Sequence, residues 1–218
     1  MKVCVLIPLY NEARTIERLV KDAVKYADKC LVVDDGSADS SGTIALEAGA
    51  VVIKHSKNYG KGISLQNGFK KVLEEKYDAV ITMDGDGQHD PADLPKFIKK
   101  AENSPAGIIS GNRMGNLKEM PLIRILTNKL MSFVISKVSG QNIVDSQCGY
   151  RLIKSNVLEK LNLSTSRFEI ESEILIETAK LGYRIDFVPI NSIYRGEKSR
   201  IDPLFDTLRF IKFIFRRR

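Results

Sequence analysis

The sequence is poor in the residues that build disulfide-bonded proteins and histidine metal centres. Its 218 residues include no tryptophan, two histidines and three cysteines. Cys4, Cys30 and Cys148 are odd in number and widely spaced, which argues against a disulfide framework or a thiolate metal site and fits a reducing cytoplasm. His55 and His89 have no partner at ligand spacing, so His89 is expected to be structural or peripheral to a metal.

Long apolar runs and glycine-rich phosphate loops are missing as well. No uninterrupted stretch of about 18 apolar residues occurs, so no segment is expected to span a bilayer by itself. Residues 3–7 indicate a buried strand rather than a signal peptide, because one lysine precedes them and no small-residue cleavage site follows. No G-x-G-x-x-G or P-loop motif follows this strand, so neither a dinucleotide site nor an ordinary NTPase site is indicated.

What the chain has is the composition of a globular protein and an alternation of strands and helices. Apolar residues make up 43% of it and charged residues 28%, which is ordinary for a folded domain. Short apolar runs predict four buried strands, at residues 3–8, 30–33, 51–53 and 79–83. Segments with helical spacing lie between them, at residues 12–26, 39–48 and 62–75. The alternation predicts an α/β fold with a mostly parallel central sheet flanked by helices.

The second half of the chain continues this pattern. Helices are predicted at residues 91–101, 121–138 and 168–181, the first of them capped by Asp90. Strands or extended segments are predicted at residues 108–111, 147–153 and 184–189. No repeat or linker interrupts the pattern, so residues 1–202 are predicted to form one domain and residues 203–218 a C-terminal amphipathic helix.

The basic charge is concentrated in that C-terminal segment. The formal net charge is +7, and residues 207–218 contain five basic and no acidic side chains. Leu204, Leu208, Ile211 and Phe215 fall on one helical stripe, which favours a helix that lies in a membrane surface. A terminal helix docked on its own domain is the alternative. The 121–138 helix also has two interpretations, since it either helps to enclose a lipid tail or packs in the core.

The strand at residues 79–83 ends directly in two carboxylates. Asp84 and Asp86 stand at i and i+2, where the side chains of an extended chain share a face, and Gln88 follows. Oxygen ligands at the open end of a strand suit Mg²⁺ or Mn²⁺, with phosphate oxygens completing the shell. Gly85 lets the backbone approach a ligand. A polar turn that caps the next helix is the alternative, but the setting favours the metal site.

Polar residues also follow the first two strands. Tyr10, Asn11 and Glu12 come after the first strand, and Asp35 lies in the acidic turn after the second. Ligands of parallel sheets bind beyond the carboxyl ends of the strands, so these groups are expected to meet the acidic strand end and hold a nucleotide. Turn formation alone explains the Asp35 cluster, but the convergence of three strand ends favours a site. Lys61, between two glycines, either starts a helix or brings a cation to a diphosphate.

Together these segments resemble the family 2 glycosyltransferases of the GT-A fold. The resemblance is strongest to the dolichyl- and polyprenyl-phosphate sugar synthases and covers nearly the whole chain. The motifs that carry it lie at residues 7–12, 33–37, 58–62, 83–91, 111–113, 145–151 and 168–171. As a set they are far more specific than any one of them.

The resemblance implies an inverting enzyme that transfers a hexose or N-acetylhexosamine from a UDP- or GDP-sugar to a polyprenyl or dolichyl phosphate. The expected nucleotide-sugar-binding residues are Pro8, Tyr10, Asn11, Glu12, Asp35, Lys61, Asp84, Gly85, Arg113 and Arg200. The expected ligands of Mg²⁺ or Mn²⁺ are Asp84, Asp86 and Gln88. The cations that the family places near the phosphates correspond to Arg113, Arg151 and Arg200.

The expected catalytic residues are Asp86, Arg151 and Asp145, and two of these roles stay open. Asp145 either acts as a general base or orients Arg151, because a phosphate acceptor is already an anion and needs no base. Arg151 either binds a phosphate through its guanidinium or forms a surface salt bridge, and the first is favoured.

The sequence departs from the family pattern in two ways, the first a minor polar exchange and the second relevant to the predicted acceptor. Asn112 stands where serine is common, and the transmembrane helices that many lipid-phosphate sugar synthases add are missing from this sequence. A peripheral place on the cytoplasmic face of a membrane is therefore expected, with a soluble or glycan acceptor as the alternative. A nucleic-acid partner is not expected, because acidic strand ends without aromatic–basic interleaving do not suit one.

Overall fold

The first strand shows how the sequence builds the sheet. In the computed structural model, which describes residues 1–115 and 120–193, β1 covers Val3–Leu9. Side chains alternate between the two faces of a strand, and accordingly Val5 and Ile7 pack in one core cluster while Cys4 and Leu6 pack in the other. A strand that is buried on both faces must lie inside a sheet with helices above and below it.

Seven strands form one sheet among the described residues. After β1 they are β2 (Lys29–Asp34), β3 (Val51–Lys54), β4 (Ala79–Thr82), β5 (Ile108–Asn112), β6 (Arg151–Lys154) and β7 (Ile185–Pro189). Their order across the sheet is β3-β2-β1-β4-β6-β5-β7. Every pairing is parallel except those of β6, which runs antiparallel to β4 and β5. The predicted mostly parallel sheet is confirmed, with β6 as its exception.

Helices cover both faces of this sheet, as predicted. They are α1 (Ile16–Ala23), α2 (Ser41–Glu47), α3 (Lys61–Glu74), α4 (Leu94–Glu102), α5 (Leu122–Ser139), α6 (Ser155–Leu158) and α7 (Ile170–Lys180). Helices α1, α2 and α4 contribute apolar side chains to one core cluster, and α3, α5, α6 and α7 to the other. A short 3-10 turn, Pro91–Asp93, precedes α4, and Asp90 caps it by accepting a hydrogen bond from Ala92 N.

Two of the predicted elements differ from the structure. The first helix begins at Ile16 instead of residue 12, because residues 11 and 12 bond across to the loop after β2: Asn11 N donates to Ser37 Oγ and Glu12 N to Ser41 Oγ. The prediction that residues 51–53 are buried is wrong, because β3 is an edge strand with an exposed Val51.

Two further predictions concern the membrane and the C-terminal segment. No helix among the described residues has both the length and the hydropathy needed to cross a bilayer. The predicted amphipathic helix at 203–218 lies outside the described residues, so the division between residues 1–202 and 203–218 stays a prediction.

The direction of β6 decides what gathers at one edge of the sheet. Arg151, the first residue of β6, pairs with Thr82 at the end of β4 and with Ser110 in β5. The segment that leads into β6 therefore lies beside the carboxyl ends of the parallel strands. We call the loops at this edge the site edge and define it as residues 10–12, 34–37, 84–88, 113 and 145–150.

Candidate active site

Two carboxylates share one lysine at the end of β4. Lys61, the first residue of α3, places its Nζ 2.5 Å from Asp84 Oδ1 and also forms an ion pair with Glu171 Oε1 in the first turn of α7. The side chains of Lys61 and Glu171 are largely buried. A buried charge is stable only when it is paired, so the three side chains form one unit, the Lys61–Asp84–Glu171 cluster.

The two aspartates at this strand end ionise differently. Burial opposes ionisation of Asp84, but the Lys61 ammonium outweighs it and lowers the pKa to about 2. Burial and repulsion from Asp84 raise the pKa of Asp86. Burial would also neutralise Lys61, but Asp84 and Glu171 outweigh it and raise the pKa of this lysine. Neighbouring carboxylates that disfavour each other's charge are stabilised by a cation between them.

The donor set at this strand end fits Mg²⁺ or Mn²⁺. Asp86 Oδ1 accepts a hydrogen bond from Gln88 N (3.0 Å), which fixes the turn that presents the two carboxylates and the carboxamide. No cluster of three or more histidine, cysteine, aspartate or glutamate side chains that could hold a metal occurs in residues 1–115 and 120–193. An ion at Asp84 and Asp86 would therefore complete its shell with water and phosphate oxygens, as Mg²⁺ does at nucleotide sites.

Neighbouring side chains hold the backbone of this turn. His89 is buried, its Nδ1 accepts a hydrogen bond from Asp84 N (3.2 Å), and its ring stacks on Tyr150 with centroids 5.0 Å apart. Gly85 is buried too, and its carbonyl accepts from Thr15 Oγ1 (2.5 Å). His89 thus supports the turn from behind, which agrees with the structural role predicted for it.

Asp35 organises the loop that leads to Lys61. Its carboxylate accepts hydrogen bonds from Tyr59 N (2.9 Å) and Gly60 N (2.8 Å), and it pairs with His55 Nδ1 (2.8 Å). Asn67 of α3 donates to His55 Nε2 (2.9 Å), which leaves the Nδ1–H for Asp35. The sequence assigned Asp35 to the nucleotide and gave His55 no partner. In the structure the two residues bind each other and fix the start of α3.

The predicted nucleotide-binding residues of the first loop all lie at or beside the site edge: Pro8, Tyr10, Asn11 and Glu12. Asn11 has a positive φ of 54° and its Oδ1 accepts from Ala38 N (2.8 Å), so it ties the first loop to the loop after β2. Tyr10 is 37% exposed. Part of its side chain is therefore accessible to solvent at the site edge.

Asp145 holds Arg113 in a bidentate pair. Arg113 Nε and Nη2 donate to Asp145 Oδ2 and Oδ1, both at 2.9 Å, and Asn128 of α5 donates to Oδ1 at 2.8 Å. The Asp145 carboxylate is fully buried. Burial opposes its ionisation, but Arg113 outweighs burial and lowers the pKa. The sequence suggested that Asp145 acts as a base or orients Arg151. In the structure the arginine that Asp145 binds is Arg113.

Arg151 lies inside the core instead of at the surface. It is 1% exposed, and it donates from Nη1 to Glu171 O (2.5 Å) and from Nη2 to Ser146 O (2.8 Å). The surface salt bridge considered for it is therefore wrong, and phosphate binding by its guanidinium stays a prediction. Its observed role is to join the start of α7 to the loop before β6.

Gly149 lies against the Lys61–Asp84–Glu171 cluster. A Cβ at this position would stand 2.8 Å from Glu171 Oε1 and 2.9 Å from Asp84 Oδ2, which is closer than real Cβ contacts. A side chain at residue 149 would therefore require the Asp84 and Glu171 carboxylates to move.

Comparison with known proteins agrees with this geometry. The family model described as Glycosyl transferase family 2 matches residues 4–161, well over half of the chain. The chain belongs to glycosyl transferase family 2. It is a glycosyltransferase, and the resemblance found in the sequence is confirmed.

Two relatives of this family 2 transferase match it over most of its length. It is 33% identical over 215 residues to the UDP-N-acetylglucosamine–dolichyl-phosphate N-acetylglucosaminyltransferase of Methanococcus voltae, with 88% of this chain and 86% of the relative covered. It is 32% identical over 210 residues to the undecaprenyl-phosphate mannosyltransferase of Micrococcus luteus, with 89% and 85% covered.

A solved structure confirms the fold of the transferase. Glucosyl-3-phosphoglycerate synthase from Mycobacterium tuberculosis, crystallised with Mn²⁺, uridine diphosphate and phosphoglyceric acid, matches with a TM-score of 0.76 over 97% of this chain and 75% of that one. The sequence identity is 19%, so this likeness concerns the fold alone. The predicted α/β architecture of the GT-A type is thereby shown.

The transferase also uses residues to which the sequence assigned no role. Glu171 and Glu173 both stand in the first turn of α7, where acidic residues are common for helix-dipole reasons alone. Their partners are distant in sequence, and only Glu171 fell within a motif of the resemblance. Arg200, the third predicted cation, lies outside the described residues.

Proposed function

We propose that the chain is an inverting, metal-dependent glycosyltransferase that moves a hexose or N-acetylhexosamine from a UDP- or GDP-sugar to a polyprenyl phosphate. One observation carries this proposal: Asp84, one of two neighbouring carboxylates suited to a divalent ion, is paired with Lys61 at the site edge, and Arg113 stands there as a second cation. A leaving nucleotide diphosphate develops negative charge, which such groups stabilise.

The donor site is proposed to form at the ends of β1, β2 and β4. Asp84, Asp86 and Gln88 would hold Mg²⁺ or Mn²⁺, which when bound supplies positive charge to the leaving diphosphate. Lys61 adds a second positive charge on the same side, and the ring of Tyr10 packs against the base. Crystals of the M. tuberculosis synthase with Mn²⁺ and uridine diphosphate support this use of the fold.

The acceptor is proposed to be a polyprenyl phosphate, which both curated relatives described above carry in their names. A phosphate oxygen is already an anion, so no base has to deprotonate it. We therefore assign Asp145 to the positioning of Arg113, whose guanidinium attracts the acceptor phosphate. A peripheral place on the cytoplasmic face of the membrane follows from a lipid acceptor and a nucleotide-sugar donor.

Incubation of the protein with Mn²⁺, a polyprenyl phosphate and a panel of UDP- and GDP-sugars tests the proposal. We expect transfer from one donor and loss of transfer on chelation of the metal. Asp86→Ala should show no transfer, while its circular dichroism spectrum should match that of the wild type. Full activity of Asp86→Ala would refute the metal assignment. Transfer to phosphoglyceric acid but not to the lipid would establish the second candidate, a soluble phosphorylated acceptor of the kind crystallised with the synthase.

A further inference from the structure

Helix α5 exposes a stripe of large apolar side chains. The stripe consists of Leu122, Ile123, Leu126, Leu130 and Phe133, each of them at least 60% exposed. Leu122 and Ile123 are adjacent and the others follow at steps of three to four residues, so all five lie on one face of the helix. Single exposed apolar residues are ordinary, but a contiguous group of this kind marks a surface that binds another molecule or a membrane.

The opposite face of α5 is bonded to the active-site loop. Asn128 and Ser132 are buried; Asn128 Nδ2 donates to Asp145 Oδ1 (2.8 Å), and Ser132 Oγ lies 3.1 Å from Ser146 Oγ. The inner face of the helix therefore carries both polar side chains and apolar core residues, whereas the outer face carries the exposed apolar stripe. A molecule bound to the apolar stripe would therefore contact the same helix that holds Asp145, the residue paired with Arg113.

The charges of α5 indicate what covers this stripe. The helix contains Arg124, Lys129 and Lys137 and no acidic residue. Lys129 and Lys137 line one cleft together with Phe133, so cations border the stripe. A second copy of the chain would bring like charges together across a two-fold interface, whereas an anionic lipid surface pairs with them.

We propose that the outer face of α5 docks into the surface of an anionic phospholipid bilayer. The apolar stripe enters the boundary between headgroups and acyl chains, and Lys129 and Lys137 meet the headgroups. The inference rests on the proposed function, because it explains how the transferase meets a lipid-borne acceptor. Docking through α5 brings the membrane next to the loop that holds Arg113.

Co-sedimentation of the full chain with vesicles tests this docking. Vesicles of phosphatidylcholine with phosphatidylglycerol are compared with vesicles of phosphatidylcholine alone, for the wild type and for Leu126→Gln with Leu130→Gln. We expect the double variant to bind the anionic vesicles about tenfold more weakly or worse, because two leucines lose apolar burial. Leu46→Gln is the matched control, since Leu46 is equally exposed but lies on α2; its binding should not change.

Other outcomes would overturn the docking proposal. Unchanged vesicle binding by the double variant would show that another part of the chain binds the membrane. Conversion of a wild-type dimer into a monomer by the same substitutions, measured by analytical ultracentrifugation, would show that a second copy covers the stripe.

Activity measurements separate this proposal from the proposed function. The double variant should keep the wild-type rate on a short-chain isoprenyl phosphate in detergent and lose transfer to polyprenyl phosphate in vesicles. If the wild type transfers to neither acceptor, the proposed function fails and the docking proposal loses its basis. If the double variant works on vesicles as well as the wild type does, the docking proposal fails and the function stands.

Discussion

Lys61 holds two carboxylates at once, Asp84 from the loop after β4 and Glu171 from α7. Because these carboxylates raise the pKa of the lysine against the effect of burial, the ammonium stays charged at neutral pH. A divalent ion at Asp84 and Asp86, as proposed, would compete with this ammonium for the Asp84 carboxylate. At the scale of single residues, Lys61 would therefore oppose metal binding in the nucleotide-free protein and would favour binding of the diphosphate.

Replacement of Lys61 separates these two effects. We expect Lys61→Gln to bind Mn²⁺ about tenfold more tightly without nucleotide, since the lost repulsion is on the order of 1–2 kcal/mol. Transfer should nevertheless slow, because the diphosphate loses a cation. Mn²⁺ titration by electron paramagnetic resonance and initial rates measure the two quantities. Lys57→Gln, an exposed lysine of the same loop, should change neither, and weaker Mn²⁺ binding by Lys61→Gln would contradict the competition.

Gly149 offers a second test at this scale. We expect Gly149→Ala to displace the Asp84 and Glu171 carboxylates, which would meet the new Cβ at less than 3 Å. Overpacking of this kind costs about 1–3 kcal/mol of folding free energy, and transfer should fall more than this loss of stability explains. Urea denaturation and initial rates measure the two effects. Gly115→Ala is the control, because no atom of the described residues lies within 4 Å of the added Cβ. Equal activity of the two variants would rule out the close approach.

At the scale of elements, one loop fastens α7 to the start of α3. Glu173 is fully buried and accepts hydrogen bonds from the N–H and hydroxyl groups of Ser164 and Thr165. The next carbonyl, Ser166 O, accepts from Gly62 N (2.9 Å). Lys61 is thus held between this strap, residues 164–166, and the Asp35 loop on its other side.

The pH dependence of stability reports on this strap. Burial opposes ionisation of Glu173, but its hydrogen bonds from Thr165 and Ser164 outweigh burial and lower its pKa below the usual 4.5. A lowered pKa in the folded state means that the stabilisation is complete above pH 4.5 and disappears as the pH falls through the folded-state pKa. Glu173→Gln should therefore lose on the order of 2 kcal/mol at neutral pH.

The comparison of wild type and variant across pH completes this test. Urea denaturation should show the two proteins converging in stability as the pH falls below the usual glutamate range, since the wild-type carboxylate then becomes protonated. A constant difference across pH would assign the effect to packing instead of charge. Glu177→Gln is a control in the same helix, because Glu177 pairs with Lys180, the exposed last residue of α7, whereas Glu173 bonds to the 164–166 strap.

Local patterns predicted the elements, but they could not predict the partners of the buried charges. A short apolar run predicts β1 and helical spacing predicts α3. The acidic strand end at Asp84 and Asp86 was found from sequence because it needs only one strand and one turn. The Lys61–Glu171 pair joins residues 110 apart. The antiparallel direction of β6 is likewise set by its neighbours and not by its own four residues.

At the scale of the whole molecule, α5 connects a surface to the active site. Its outer stripe faces away from the protein, and its inner face bonds to Asp145, which in turn holds Arg113. Asp145 collects hydrogen bonds from α5, from the segment after β5 and from its own loop at Gln147 N. If Arg113 binds the acceptor and α5 docks on the membrane, as proposed, the two events would be linked through one buried carboxylate.

Asn128→Ala should remove the hydrogen bond between α5 and Asp145 while leaving the exposed apolar stripe of α5 unchanged. Loss of its donor leaves a buried carboxylate oxygen with one hydrogen bond fewer, at a cost of about 1–3 kcal/mol of folding free energy. Arg113 is then held less firmly, so the KM for the acceptor phosphate should rise more than kcat falls, while binding to anionic vesicles stays at the wild-type level. Thr127→Ala is the matched control, because the Thr127 hydroxyl donates within its own helix, to Ile123 O, and not to Asp145. Kinetics with short-chain and vesicle-bound acceptors, together with vesicle sedimentation, distinguish the outcomes. If Asn128→Ala loses vesicle binding along with acceptor affinity, α5 itself has been displaced; if acceptor KM stays at the wild-type value, Asp145 positions Arg113 without help from α5.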